Sequence, residues 1–534
     1  MTRVEIPVCS SAVTMIHSFT LAPNSTFIIG GGTAGLVVAS RLAQDPTLQI
    51  VVLEAGQDQT EDPRVLTPGL WPSLVHSPSD WDFTSVPQDA LNGQTIVFPQ
   101  GRLFGGTSAM NGHALIANSN SNIDAWGKLG NAGWDWETLL HYYKKSLSLT
   151  LPSPEKQAEL GLDYVSPEYA GTGPLKASFP DALDDPVANA WVETFRGLGK
   201  FMSGDPFSGS AIGGYTNAAT VDPVSKTRSY AGNAYYLPVK ELPNLRVITG
   251  ALVEKILFEN STPGEEPTAT GVQYVKDGTS TTITANREVI LAAGVFNTPK
   301  ILELTGIGAR SLLEKHNIPL IVDNPNVGEN LQDHIFAPVY FEYTTRKFGT
   351  FTVGGNYSGA LLSLADFEDP ETGAAERTSV LNTIPTSLSP FESELTAYIR
   401  SLIDNPNEAT GAYFTFLAQS DYRAALPGNY LTIAVGLVAP LSRGSSHITS
   451  SNPPPAPEDL RAVSLDMVKE YVKAKAKSTY HPVGTCAMMP REKGGVVDSR
   501  LRIGGVNAAN VQSTVYAVAE RAVDFIKEDL ETES

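Results

Sequence analysis

The clearest structural signal in this chain lies at residues 27–56, which read FIIGGGTAGLVVASRLAQDPTLQIVVLEAG. The apolar run at residues 27–29 predicts a buried strand, and a helical pattern of apolar residues follows the glycines. A second apolar run, at residues 50–53, ends at Glu54. We therefore expect a βαβ unit, in which two parallel strands are joined by a crossover helix.

Three glycines between the first strand and the helix, Gly30, Gly32 and Gly35, match the pattern G-x-G-x-x-G. In this pattern the first glycine makes a tight turn, the second admits a pyrophosphate, and the third lets helix and strand pack closely. The free N–H groups of the helix N-terminus face the phosphates. Glu54 lies 19 residues beyond Gly35, where a carboxylate accepts hydrogen bonds from ribose hydroxyls. The unit predicts an adenine dinucleotide site and leaves both FAD and NAD open.

Length and composition limit the remaining possibilities. A chain of 534 residues exceeds one hydrophobic core, so at least two domains are expected. The net charge of −19 argues against nucleic acid or an acidic membrane surface as partner, and no apolar run reaches the ~20 residues of a membrane span. Two cysteines, Cys9 and Cys486, predict neither a disulfide framework nor a metal site. The N-terminus is a poor secretory signal, so a cytoplasmic location is expected, with secretion as the alternative.

Other patterns add mixed helices and strands to this unit. Residues 287–294 read as another buried strand, and 251–258 and 268–275 as neighbouring strands. Helical spacing occurs at 134–145 and 515–529, and the proline-dense stretch 451–457 predicts a loop.

A second glycine-rich loop, GRLFGGTSAMNG, spans residues 101–112 and permits close backbone approach to a flat or charged ligand. Together with the stretches at 292–308, 328–334, 480–486 and 510–514, it makes the sequence resemble the glucose-methanol-choline (GMC) oxidoreductase family from about residue 27 to 526. The match departs at Val295 and Thr305, where relatives favour a small residue and serine.

The resemblance implies an α/β fold, with a Rossmann-like FAD-binding domain and a discontinuous α+β substrate domain. The implied division is an N-terminal lead at 1–22, FAD-binding parts at 23–160, 231–330 and 479–534, and substrate-binding parts at 161–230, which includes a linker, and 331–478.

The resemblance also implies the site residues. His481 would be the general base and Asn510 would orient the substrate hydroxyl, while His334 and His447 match positions for which we expect packing roles. Met110 stands where some relatives carry a histidine bonded to the flavin, so noncovalent FAD is expected. The implied FAD contacts are Gly30, Gly32, Thr33, Ala34, Gly35, Glu54, Ala55, Arg102, Gly106, Ser108, Asn111, Gly112, His113, Ala114, Val253 and Val511.

The implied activity is oxidation of an alcohol group of a small or medium organic molecule, with oxygen or another electron acceptor as the second partner. Fungal-type stretches at 62–69 and 81–83 suggest secondary metabolism. Two alternatives stay open: a non-redox cyclase or dehydratase that keeps the flavin, and an inactive flavin-free homologue.

Two stretches are shorter than in relatives. Only residues 458–478 separate the proline-dense stretch from the histidine segment, and only 507–509 lie where relatives place a strand of the flavin sheet. Loss of that strand predicts an exposed sheet edge. The shortening has two open explanations, exons wrongly removed from the gene model or a divergent member of the family.

Overall fold

The computed structural model describes residues 17–20, 25–116, 118–180, 186–259, 267–342, 358–367, 373–384, 390–416, 428, 430–449, 456–458, 473, 475–501 and 511–532. The predicted βαβ unit is confirmed: strands Ser25–Ile29 and Gln49–Glu54 run parallel, and helix Thr33–Leu42 connects them. Two further parallel strands complete a sheet, here called the parallel sheet, in the order Leu245–Thr249, Gln49–Glu54, Ser25–Ile29, Glu288–Leu291.

Side chains of the parallel sheet alternate between two buried cores, because neighbouring residues of a strand point to opposite faces. Ile28 and Val52 pack on the side that holds helix Thr33–Leu42. Phe27 and Val51 pack on the other side, against the antiparallel strands Leu252–Phe258, Ala269–Lys276 and Thr279–Thr284. The predicted pairing of segments 251–258 and 268–275 is thereby confirmed. Both faces are covered, which explains why the strands are continuously apolar.

The C-terminal helix, Val511–Thr532, lies beside helix Thr33–Leu42 and extends the predicted 515–529 at both ends. The Arg41 guanidinium pairs with the fully buried Glu520 carboxylate at 2.6 Å, and Tyr235 Oη donates to the same carboxylate at 3.0 Å. A buried charge is tolerated only when it is paired in this way. The pair therefore holds the end of the chain against the βαβ unit.

Strand Glu288–Leu291 stands at one end of the parallel sheet within the described ranges, where its strand partner is Ser25–Ile29. All four of its residues are only partly buried, and they line a cavity that the C-terminal helix also borders. Residues 507–509, on which the prediction of an exposed edge depends, lie outside the described part of the chain. That prediction therefore stays a prediction.

Most strands of a further, six-stranded sheet come from the second half of the chain. Its strands are all antiparallel, in the order Lys477–Ser478, Ile335–Glu342, Tyr430–Leu437, Gly411–Phe416, Ser358–Leu362, Gly213–Thr216. It brings the residues just before His481 beside the strand that begins at Ile335.

Helices and short strands fill the remaining described chain. The helices are Pro63–Leu66, Asn120–Lys128, Trp136–Ser146, Pro154–Glu159, Pro186–Gly197, Gly294–Thr305, Arg310–Lys315, Gly373–Thr383 and Pro390–Asp404. The short strands are His17–Thr20, Phe83–Thr84, Val97–Phe98, Ala114–Leu115, Leu147–Thr150, Leu175–Ser178, Ala218–Ala219, Ile307–Gly308 and Val322–Asp323. No helix in the described ranges is long and apolar enough to cross a membrane.

The prediction of a loop at 451–457 is wrong for its last two residues, 456 and 457. Residues 451–455 lie outside the described part of the chain, but Ala456–Glu458 form a strand that pairs with Ser445–His447. Pro457 is compatible with this strand because an edge strand need not donate from every backbone nitrogen.

Candidate functional site

A cavity of about 1680 Å³ connects the parallel sheet with the six-stranded sheet. It is lined by most of the predicted site residues, namely Gly30, Gly32, Thr33, Ala34, Glu54, Ala55, Gly106, Ser108, Asn111, Gly112, His113, Ala114, Val253 and His481. Gly35 and Arg102 do not line it. Asn510 and the side chain of Val511 lie outside the described residues.

The glycine turn has the backbone geometry that its sequence predicts. Gly30 adopts φ +104°, and its N–H donates to the carbonyl of Leu53 at 2.8 Å. A Cβ on Gly35 would lie 2.0 Å from the carbonyl oxygen of Gly30, so only glycine lets the helix pack this closely on the turn. Helix Thr33–Leu42 therefore starts directly at the cavity, with the N–H groups of its first turn available to an anion.

The Glu54 carboxylate is buried at the end of its strand and shapes the same turn. Its two oxygens accept from the backbone nitrogens of Gly31 at 2.8 Å and Gly56 at 2.7 Å. Burial raises the pKa of this carboxyl to about 7, against the effect of those two hydrogen bonds. A carboxylate has about four acceptor positions, so two remain for hydroxyl donors in the cavity.

The second glycine-rich loop lies directly against the first. A Cβ on Gly106, whose φ is +54°, would lie 2.7 Å from the Cα of Gly32. The Asn111 side chain donates to Gln512 Oε1 at 2.7 Å, which ties this loop to the C-terminal helix. The two loops form one continuous wall of the cavity.

Arg228 holds this wall from behind, and nothing in the sequence pattern predicted it. Its Nε donates to the carbonyl of Val65 at 2.8 Å, and one Nη donates to the Asn111 carbonyl at 2.9 Å and side-chain oxygen at 2.7 Å. Burial lowers the pKa of this guanidinium to about 9. Its segment contains no recognisable motif, so only its complete burial reveals the role.

His113 is the residue of this wall whose polar groups are left for a ligand. It is 1% exposed, adopts φ +65°, and neither ring nitrogen has a hydrogen-bond partner among the described residues. Burial, reinforced by Arg228, lowers its pKa, so the ring is neutral. Buried polar atoms are almost always satisfied. An unsatisfied ring bordering the cavity therefore fits a polar flat ligand such as a flavin.

His481 also lines the cavity, and it lies beside His334. The two Nδ1 atoms are 3.4 Å apart and the rings are nearly perpendicular, at 84°. Burial, reinforced by His334, lowers the pKa of His481 to about 3, and burial lowers the pKa of His334 to about 4. Both rings are thus neutral near pH 7. A neutral imidazole bordering a cavity can act as a general base.

Asp333 fixes the backbone on which His481 stands. Its Oδ1 accepts from the His481 backbone nitrogen at 3.0 Å, and its Oδ2 accepts from the Ser478 hydroxyl. Burial raises the pKa of this carboxyl to about 7. The histidine position is therefore held by a buried acid that does not contact the ring.

His447 belongs to a separate ion-pair cluster, in which Glu303 is buried and Glu329 is exposed. Its Nδ1 lies 2.6 Å from Glu303 and its Nε2 lies 2.9 Å from Glu329. Hydrogen bonds to these two carboxylates raise the pKa of His447 to about 10, against the effect of burial. A permanently protonated histidine between two acids ties chain segments together, as its predicted packing role requires.

A glycine turn at a helix N-terminus, a buried acid at the end of the next strand and a neutral histidine all line one cavity, an arrangement typical of dinucleotide-dependent redox enzymes. Family models for GMC oxidoreductase match residues 24–336 and 434–519. The chain belongs to the GMC oxidoreductase family and is an enzyme of its alcohol dehydrogenase and oxidase type. Members of this family bind FAD.

Individual relatives agree with this assignment. The chain is 30% identical to the GMC oxidoreductase family protein Mala s 12 of Malassezia sympodialis, over 93% of this chain and 91% of that protein. It is 31% identical to dehydrogenase citC of Monascus ruber, over 97% of this chain and 98% of that protein. Among solved structures, an FAD-dependent oxidoreductase from Chaetomium thermophilum superposes with a TM-score of 0.80 at 27% identity, covering 95% of this chain and 99% of that one. A fungal aryl-alcohol oxidase gives a TM-score of 0.79 at 25% identity, with the same coverage.

The alignment with citC also bears on the predicted shortening. It extends over 625 positions, whereas this chain has 534 residues, so at least 91 positions of the alignment have no counterpart here. The chain therefore lacks segments that this relative contains.

Proposed function

We propose that this protein oxidises an alcohol group of a small organic molecule with noncovalently bound FAD, and that His481 is the general base. The observation that carries the proposal is the shared cavity, which the glycine turn, Glu54 and the neutral His481 all line. When bound, FAD would supply the hydride acceptor.

The adenosine end of the cofactor would be held by groups that still have hydrogen-bonding capacity. The first-turn N–H groups of helix Thr33–Leu42 would bind the pyrophosphate, and Glu54 would accept from the ribose hydroxyls. Val253 would cover the adenine, and it borders the cavity beside the parallel sheet.

At the reacting end, His481 would take the hydroxyl proton as the carbon-bound hydride leaves. Asn510 would orient that hydroxyl, and this role rests on the family resemblance. Met110 supports noncovalent binding, because a buried thioether offers no nitrogen for a bond to the flavin.

The wider setting is part of the proposal. Oxygen or another acceptor would reoxidise the flavin, and similarity to fungal dehydrogenases such as citC supports a role in secondary metabolism. We also propose the domain division implied by the resemblance. An inactive flavin-free homologue is the second candidate, because the chain lacks segments that its relative citC contains.

An absorbance spectrum of the purified protein, before and after acid precipitation, tests the cofactor. Flavin bands that move to the supernatant support noncovalent FAD, whereas bands that stay in the pellet mean a covalent bond. A colourless protein that takes up no added FAD would establish the flavin-free alternative.

Anaerobic bleaching by a panel of aliphatic and aromatic alcohols tests the chemistry. His481→Ala should keep its FAD and lose bleaching by at least about 100-fold, while His141→Ala, a change on an exposed face of helix Trp136–Ser146, should bleach normally. Bound flavin that no alcohol reduces would favour the non-redox cyclase or dehydratase.

A further inference from the structure

The ring of His334 lies against the ring of His481. The two Nδ1 atoms are 3.4 Å apart and the rings are nearly perpendicular, at 84°. In such a contact one Nδ1 donates its proton and the other accepts it.

A neutral imidazole carries one proton, so each ring either donates or accepts through its Nδ1. A general base needs a lone pair on the nitrogen that meets the substrate hydroxyl, and Nδ1 of His481 already faces His334. If His481 is the base, its lone pair therefore lies on Nε2 and its proton on Nδ1. Nδ1 of His334 is then the acceptor of that proton.

We propose that His334 is a positioning residue that holds His481 in the tautomer with the proton on Nδ1 and the basic lone pair on Nε2. This inference rests on the proposed function of His481 and assigns a partner to it. The two residues are 147 positions apart in the sequence, and the six-stranded sheet brings them together through the pairing of Ile335 with Ser478.

The burial of both rings supports this arrangement over a charged pair. Burial lowers the pKa of each ring, and a positive charge on one ring would face the other ring across only 3.4 Å. Asp333 contacts the His481 backbone and the Ser478 hydroxyl rather than the His481 ring. Among the described residues, the hydrogen-bond partner of the His481 ring is thus His334.

Nitrogen-15 NMR of the as-purified protein, labelled at its eight histidines, tests the tautomer directly. His481→Ala assigns the signal of His481, and we expect its Nδ1 to be protonated and its Nε2 to be unprotonated at pH 7. His334→Asn places an amide oxygen near the former Nδ1 and should preserve this pattern. His334→Leu removes the acceptor and should convert His481 to a mixture of tautomers, while His141→Leu should leave it unchanged.

Rates measured with the same variants complete the test. His334→Leu should lower kcat about 100-fold with little change in KM or FAD content, and His334→Asn should restore kcat to within about tenfold of the native value. A native His481 protonated on Nε2, or a His334→Leu variant with unchanged tautomer and kcat, would overturn the inference. If His481→Ala retains full activity, the proposed base is wrong instead, and the NMR result still reports on the pair.

Discussion

The substitution Glu54→Gln, which replaces a buried carboxyl by an amide, should have two effects. It should weaken FAD binding, and its effect on the stability of the FAD-free protein should be more favourable at alkaline than at acid pH. Burial raises the pKa of Glu54 from 4.5 to about 7. Because the pKa of Glu54 is higher in the folded than in the unfolded protein, the free energy of unfolding falls as pH rises from 4.5. The full cost of burying the ionised carboxylate is present above pH 7. That cost is roughly 3 kcal/mol at pH 8 and under about 1 kcal/mol at pH 5.

Glu54→Gln removes the charge but keeps only one acceptor oxygen. One of the two backbone N–H groups, of Gly31 or Gly56, then loses its partner, at a cost of about 1–3 kcal/mol at any pH. The effect of the substitution on the free energy of unfolding should therefore become more favourable by roughly 2–3 kcal/mol between pH 5 and pH 8. Loss of a charge-assisted bond to the ribose should raise the FAD dissociation constant about 10- to 100-fold.

Urea unfolding of FAD-free protein at both pH values and FAD titration by flavin fluorescence measure the two effects. Glu259→Gln, at an exposed position after strand Leu252–Phe258, is the matched control and should change neither. Native FAD affinity in Glu54→Gln would refute the ribose contact. An unfolding effect that is equal at pH 5 and pH 8 would refute the desolvated carboxyl.

Two further substitutions test the wall and the ion-pair cluster. Gly106→Ala should weaken FAD binding at least about tenfold, because the added Cβ would lie 2.7 Å from Gly32. The control is Gly278→Ala, at a glycine with φ +75° and no neighbour within 4 Å of the added Cβ. It should cost only the ~1–2 kcal/mol of backbone strain and bind FAD normally in the same titration. His447→Gln should cost about 3–5 kcal/mol at pH 7 by leaving Glu303 unpaired. Because the pKa of His447 is raised to about 10, its contribution to the free energy of unfolding is lost as pH rises through that value. The destabilisation by His447→Gln, measured by urea unfolding, should therefore shrink near pH 10. A destabilisation that does not change with pH would argue against the ion pair.

The βαβ unit was predictable because its signals are local. A strand, a glycine turn, a helix and a second strand are each encoded within about ten residues, and Glu54 follows from the end of the second strand. The order of the parallel sheet was not predictable in the same way. Strand Leu245–Thr249 lies beside Gln49–Glu54 although nearly 200 residues separate them, and no periodicity reports such a pairing.

The site was predictable only where family motifs carry the chemistry. His481 and the glycine loops were found, but Arg228 was missed because its role depends on carbonyl groups more than 100 positions away. His334 matched a position for which only packing was expected, whereas its ring lies against His481. A hydrogen-bond partner distant in sequence leaves no pattern around either residue.

Within the described ranges, strand Glu288–Leu291 forms one edge of the parallel sheet and adjoins the glycine turn, which bears on what the shortened sequence means. Ala292 follows this strand, and its carbonyl oxygen lies 2.4 Å from where a Cβ of Gly30 would be. Four residue pairs with Ser25–Ile29 hold the strand, so fraying of this edge would reach the glycine turn directly. Native-like FAD affinity would mean that the pairing with Ser25–Ile29 suffices to hold the turn, as expected of a divergent but working enzyme. Failure to take up FAD by a protein that remains folded would instead place the defect at this edge, as expected if a strand had been removed from the sequence.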